Sequence, residues 1–227
     1  MKRNIILAEF IGTFALVFFG CGAVAVSSSH GGVPGHTGIS LVFGLTVMAM
    51  IYSTGNISGA HINPAVTLGF LFAGRLRGKT VLPYVISQLA GSLAAAYLLK
   101  ILFGGSDLGV TLPTGSVLQA FIMETVLSFL LMCVILNVSS GHKEKGIMAG
   151  AAIGGTVALM ALMGGPVSGA SMNPARSFGP ALASGIYQHL WIYILAPVLG
   201  MLMASPTCRW IQGRECCHLN REKFCDE

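Results

Sequence analysis

The residues best placed to do chemistry in this chain come in matched pairs. Asn63, Pro64 and Ala65 sit inside the stretch Ser58-Gly59-Ala60-His61-Ile62-Asn63-Pro64-Ala65-Val66-Thr67-Leu68-Gly69. A second copy lies 110 positions on, Ser168-Gly169-Ala170-Ser171-Met172-Asn173-Pro174-Ala175-Arg176-Ser177-Phe178-Gly179, with Asn173, Pro174 and Ala175 in register. Asn is a favoured helix N-cap, because its side-chain oxygen takes an unpaired backbone N–H of the first turn. Pro suits the next position, where its missing N–H costs nothing and its φ is already helical. Each copy therefore reads as a loop that stops at Asn and starts a helix, about ten residues long, to Ala73 and to Ala183. The chemistry on offer is hydrogen bonding to a neutral polar solute: amide donors from the asparagines and carbonyl acceptors from the loops before them. Glu9 and Glu124 form a second pair, and Arg176 and His61 stand without a counterpart of their own kind.

The elements that position these residues are set by composition. The chain is 54% hydrophobic and 9% charged, against roughly 25% charged in soluble domains. It has too few charges to build a water-facing surface, so it is an integral membrane protein, and the location of its net charge of +5 matters more than the sign. Lys2-Arg3 precede an apolar run from Ile5 to Val26. Ala23-Val24-Ala25 has the small-residue pattern of a signal-peptidase site, but the run exceeds an h-region of about 7–15 residues and contains Glu9, which favours a retained span. Further spans are expected at Gly38–Tyr52, Val81–Phe103, Val117–Val138, Ile147–Met163 and Tyr187–Met203. The second and fifth are short and run into the Asn-Pro-Ala loops. The two helices after those loops fall well below the ~20 residues a crossing needs. The expected architecture is an all-α membrane protein of six spans and two re-entrant half-helices. A channel domain covers residues 1–207, with repeats at roughly 1–104 and 115–207, and residues 208–227 form a Cys-rich tail.

With six spans, eleven of the thirteen Lys and Arg residues fall on one side. The positive-inside rule makes that side cytoplasmic and both termini with it. Lys100, near the far end of span three, is read as snorkelling to the interface. Arg176 lies in the second repeat loop. Three spans in each half mean that the second half enters the membrane from the opposite face. The chain is thus an inverted repeat, and its paired Gly/Pro-interrupted segments point to a permeation site. Glu9 and Glu124 are costly in lipid unless paired or functional; accepting N–H groups of their own re-entrant loops is favoured over a proton relay. Non-helical backbone at membrane depth must be buried by protein or line a water-filled cavity. Two half-helix N-termini meeting at the midplane, each with about half a positive charge, repel cations and protons. Positive half-helix ends with a pore Arg are a device for excluding ions.

The paired motifs His61-Ile62-Asn63-Pro64-Ala65-Val66 and Ser171-Met172-Asn173-Pro174-Ala175-Arg176 resemble those of the major intrinsic proteins, the aquaporins and aquaglyceroporins. The resemblance runs from about Ile5 to Met203. The stretches Gly165–Asn173 and Met50-Ile51-Tyr52-Ser53 are similar to the nodulin-26-like branch, while Asn56 departs from it, where that branch usually carries His. The resemblance implies a passive channel for water and small neutral solutes such as glycerol, with boric and arsenous acid as further candidates. It also implies one pore per subunit, a homotetramer, and a plasma or inner membrane location. Carried over by spacing, its aromatic/arginine filter falls on Phe43, twenty residues before Asn63, and Ala161, twelve before Asn173, with Ala170 and Arg176. Water-only channels usually carry His where Ala161 stands, so the expected opening is wide and partly apolar. The alternatives are a strict water-only aquaporin or an anion-conducting channel.

His61 is read as a loop-ordering partner beside the pore. Cys21 and Cys133 are read as packing residues inside spans. Cys208, Cys216, Cys217, His218 and Cys225 crowd the tail, where a reducing cytoplasm argues against disulfides and the spacing does not match structural zinc. A soft-metal site there is a weak alternative, as is S-palmitoylation of Cys208. No cofactor, resident metal or nucleic-acid partner is expected. The chain has no Gly-x-Ser-x-Gly, His-Glu-x-x-His or phosphate loop, so it is not read as an enzyme.

Overall fold

The computed structural model describes residues 3–104, 108–139 and 143–212; Cys216, Cys217, His218 and Cys225 lie outside them. All regular structure among the described residues is helical: α1 (Arg3–Ser29), α2 (Gly35–Ser58), α3 (Pro64–Phe72), α4 (Gly78–Phe103), α5 (Val117–Val138), α6 (Lys143–Ser168), α7 (Pro174–Ser184) and α8 (Leu190–Gln212). Six of these are long and apolar enough to cross a membrane. The remaining two, α3 and α7, have 9 and 11 residues and are the half-helices.

The second and fifth spans are not short, as their hydropathy suggests. Helices α2 and α6 run 24 and 26 residues. Hydropathy falls at Ser53 and Thr54, but their hydroxyls bond to Ala49 O and Met50 O one turn back, which pairs both hydroxyls within their own helix. Gly59 and Gly169 end the two helices in the left-handed conformation, at φ of 86° and 83°. Their N–H groups return to Gly55 O and Gly165 O, a capping arrangement that glycine accommodates without strain. At the other end of the chain, α8 continues past Met203 to Gln212.

Small residues set the packing. α1 packs on α4 and α2, α5 packs on α8 and α6, and α2 packs on α6. At the α2/α6 crossing a Cβ on Gly154 would lie 2.6 Å from Gly44 O, and one on Gly44 would lie 2.9 Å from Ala158 N. Gly44 and Gly154 are 110 positions apart, so the pseudo-twofold of the repeat passes between them. Gly91 in α4 lies against the backbone of Phe10 and Phe14 in α1, and Gly200 in α8 lies against Thr125 and Phe129 in α5. Glycine here lets two backbones approach within van der Waals distance, which is how helices associate in lipid. The small-residue stretch Gly91, Ser92, Ala95 and Ala96 therefore packs within the subunit; Ser92 Oγ donates to Ala175 O and accepts from Gly179 N in α7.

Candidate pore and its supporting network

Each half-helix is started by its asparagine. Asn63 Oδ1 accepts from Ala65 N at 2.9 Å and Val66 N at 3.5 Å. Asn173 Oδ1 accepts from Ala175 N at 3.0 Å and Arg176 N at 3.3 Å. Pro64 and Pro174 occupy the first helical position. The remaining amide groups cross over: Asn63 Nδ2 donates to Met172 O at 2.8 Å, and Asn173 Nδ2 donates to Ile62 O at 2.9 Å. The two half-helices therefore meet N-terminus to N-terminus, tied by one hydrogen bond in each direction. Each asparagine amide has a second N–H that these bonds do not use.

The loops before the asparagines are strained in the same places. Ala60, Ile62, Ala170 and Met172 all have positive φ, between 41° and 52°, a region that costs a non-glycine residue of order 1–3 kcal/mol. Glu9 and Glu124 each bond to backbone N–H groups of these loops. Glu9 accepts from Ser58 Oγ and His61 N through Oε1, and from Ile62 N and Gln88 Nε2 through Oε2, at 2.7–2.9 Å. Glu124 accepts from Ser168 Oγ, Ser171 N and Met172 N at 2.7–2.8 Å. Tyr84 and Tyr193 donate to the last carbonyls of α2 and α6, Ser58 O and Ser168 O, both at 2.7 Å. With the N–H groups held on the carboxylate side, the carbonyls of Gly59, Ala60 and His61, and of Gly169, Ala170 and Ser171, accept no hydrogen bond among the described residues.

His61 is buried, its ring stacked 4.7 Å from that of Phe70 and 4.9 Å from that of Tyr84. Its Nδ1 lies 3.1 Å from Thr67 Oγ1. Thr67 already donates to Asn63 O and accepts from Gln88 Nε2, so His61 Nδ1 is the donor and its Nε2 is a bare acceptor. Ser171 takes the matching place in the second loop and bonds to Ser177 Oγ at 2.6 Å.

A cavity of about 1930 Å³ runs from Arg75, Arg77 and Lys79 past both asparagines to Arg176. A smaller one, about 180 Å³, lies beyond and is lined by His36, Ser40, Gly109 and Gly165 among others. The two have four lining residues in common, Phe43, Ala161, Ala170 and Arg176, and no fifth. Arg176 is 5% exposed; its Nη1 donates to Gly109 O, and its guanidinium carbon stands 5.0 Å over the Phe43 ring. The Gly109 carbonyl comes from the α4–α5 connection, whose residues Leu108 and Thr111 are buried. Thr111 Oγ1 bonds to Ser177 Oγ at 2.7 Å, which moors the connection against α7.

Two cavities thus meet at four shared lining residues, beside an inverted pair of capped helix ends. The family model described as major intrinsic protein matches residues 2–207. The chain belongs to the major intrinsic protein family. It is 47% identical over 212 residues to Aquaporin NIP1-2 of Oryza sativa subsp. japonica, covering 90% of this chain and 70% of that one. It is 49% identical over 209 residues to Aquaporin NIP1-2 of Arabidopsis thaliana, covering 88% and 71%. The X-ray structure of the aquaglyceroporin from Plasmodium falciparum superposes with a TM-score of 0.82 at 25% identity, over 92% of this chain and 96% of that one. As a member of this family the chain is a multi-pass membrane channel and not an enzyme.

Several groups lie beyond the reach of motif reading. Gly109 and Thr111 sit in the α4–α5 connection that joins the two repeats, and His36, in the first turn of α2, is matched 110 positions on by Gly146. Gln88 is one turn after Tyr84, where the second half has Pro197 after Tyr193. Lys100 does not simply snorkel: its Nζ donates to Ala183 O at 2.7 Å, placing a cation at the negative end of α7. Cys208 also departs from expectation. It is buried in α8 and disulfide-bonded. Compartment chemistry governs whether a disulfide persists, but the fold decides whether two sulfurs come within reach. The bond leaves no thiol at Cys208 for an acyl chain.

Proposed function

We propose that the channel conducts water and small neutral polyhydroxy solutes, glycerol and the uncharged boric and arsenous acids among them, and excludes ions and protons. The observation that carries this reading is the junction of the two cavities. Phe43, Ala161, Ala170 and Arg176 act there as the selectivity filter, with one aromatic wall, two methyl groups and one fixed cation. Ala161 leaves open the space that a histidine ring would fill. A solute entering it meets donors on Arg176 and an apolar face on Phe43, then the free carbonyls of both loops. Leaving the solute's polar groups unpaired would cost a few kcal/mol each, so this alternation supports hydroxylic solutes with a short carbon or metalloid core. Arg176 and the two half-helix ends oppose cations. Glu9 and Glu124 act as loop supports.

The distribution of basic residues supports a cytoplasmic location for both termini, with the larger cavity opening on that side. A homotetramer in the plasma or inner membrane fits the family. The test is stopped-flow light scattering on proteoliposomes under parallel water, glycerol and boric acid gradients, with current recorded in planar bilayers. Fast water and glycerol flux with no ionic current is expected. Water flux with exclusion of the larger solutes would make this a water-only channel, and a large anion current would overturn the neutral-solute reading.

A further inference from the structure

Pro166 lies inside α6, and a proline has no N–H to return to the carbonyl four residues back. That carbonyl is Leu162 O, next to Ala161. His36, in the first turn of α2, takes up the free acceptor: its Nε2 is 2.7 Å from Leu162 O. A carbonyl only accepts, so Nε2 carries a proton, and in that tautomer Nδ1 is the ring's acceptor. The ring fits because Gly165 has no side chain; a Cβ there would lie 2.6 Å from His36 Cε1. His36 Nδ1 has no hydrogen-bond partner among the described residues. Ser40, one turn on, donates its hydroxyl to His36 O at 2.9 Å.

His36 and Arg176 line the same small cavity. Arg176 offers donors only; Nη1 is taken by Gly109 O, and Nε has no partner. A hydroxyl must both accept and donate, and a polyol brings several at once. Water satisfies itself with neighbouring waters more readily than a polyol can in so small a space. We infer that His36 is a solute-binding residue of the smaller cavity, whose Nδ1 accepts the hydroxyl proton that Arg176 cannot, and that it selects for neutral polyhydroxy solutes before they reach Phe43 and Ala161. The inference rests on the neutral-solute reading above.

The test compares wild type, His36→Phe and His36→Gln in proteoliposomes, with glycerol and water permeability measured on the same preparations. Phe keeps the ring volume and loses both polar atoms. Gln can still donate to Leu162 O and present an oxygen. Glycerol permeability should fall about five-fold in His36→Phe, the order that one net hydrogen bond is worth. Water should change less than about two-fold, and His36→Gln should stay within about two-fold of wild type for both. An unchanged glycerol-to-water ratio in His36→Phe would overturn the assignment of His36 alone. So would equal loss of water and glycerol in both variants, which is the signature of a purely structural residue. Exclusion of glycerol by the wild-type protein would overturn the neutral-solute reading, and this inference with it.

Discussion

Arg176 is held from three directions: its backbone N–H by Asn173, one guanidinium nitrogen by Gly109 O, and the guanidinium plane by the Phe43 ring. Its position therefore owes little to the solute, and the charge is fixed before anything enters. Replacing it with Val removes the one full charge at the junction and leaves the half-helix ends intact. Proton or cation leak in dye-loaded proteoliposomes should rise roughly tenfold or more, since a unit charge about 4 Å away is worth ~4 kcal/mol at an effective dielectric of about 20. Water flow should persist. Leak that stays at the wild-type level in a folded Arg176→Val protein would mean that the helix ends suffice. The two glutamates make a different prediction. Each carboxylate oxygen of Glu9, and each of Glu124, receives one backbone N–H. Either orientation of a glutamine amide would thus set an NH2 group against a loop N–H. Glu9→Gln and Glu124→Gln should each lose about 1–3 kcal/mol, read as a lower thermal unfolding midpoint in detergent. Water flux per folded channel should be retained. Full stability with lost function would instead favour a proton relay.

At the scale of elements, the half-helices were legible because Asn and Pro specify where a helix starts, and because the pattern occurs twice. The end of α2 was not, because hydropathy counts Ser53 and Thr54 as polar whereas the fold satisfies them on their own helix, and that of α6 was not, because Gly164, Gly165 and Pro166 interrupt the apolar run while the helix continues through them to Ser168. The α4–α5 connection was illegible for another reason. Gly109 and Thr111 act on Arg176 and Ser177, more than sixty positions away, and no repeat copy flags them. The loop contacts of Glu9 and Glu124 could be reasoned from the cost of a carboxylate in lipid, but those of Tyr84 and Tyr193 to Ser58 O and Ser168 O could not. The α2/α6 crossing offers the sharpest test of packing. Gly154→Val would drive a branched side chain into the Gly44 carbonyl and Met48, and overpacking of this kind costs about 1–3 kcal/mol, sometimes more. Reduced yield of monodisperse protein is expected. Gly155 has open space around its Cβ position, and Gly155→Ala should be tolerated on the same size-exclusion assay.

For the whole molecule, the two halves are interlocked through their functional parts. α3 packs on α8, and α7 packs on α4 and α1, so each half-helix is seated largely by long helices and the pore lies between the repeats. Orientation follows from charge: eleven basic residues on one side predict that protease added to sealed right-side-out vesicles spares a C-terminal tag, and cleavage of that tag would reverse the topology. In the proposed function the four-residue junction, opened by Ala161, decides what passes. Its most direct test is the ratio of glycerol to water permeability in wild type and Ala161→His, measured by stopped flow on matched proteoliposomes. A histidine ring there would stand among the four residues that line both cavities, with Phe43 and Arg176. Wild type should conduct both solutes, and Ala161→His should conduct water alone. Glycerol flux that survives the histidine in a folded protein would contradict that reading.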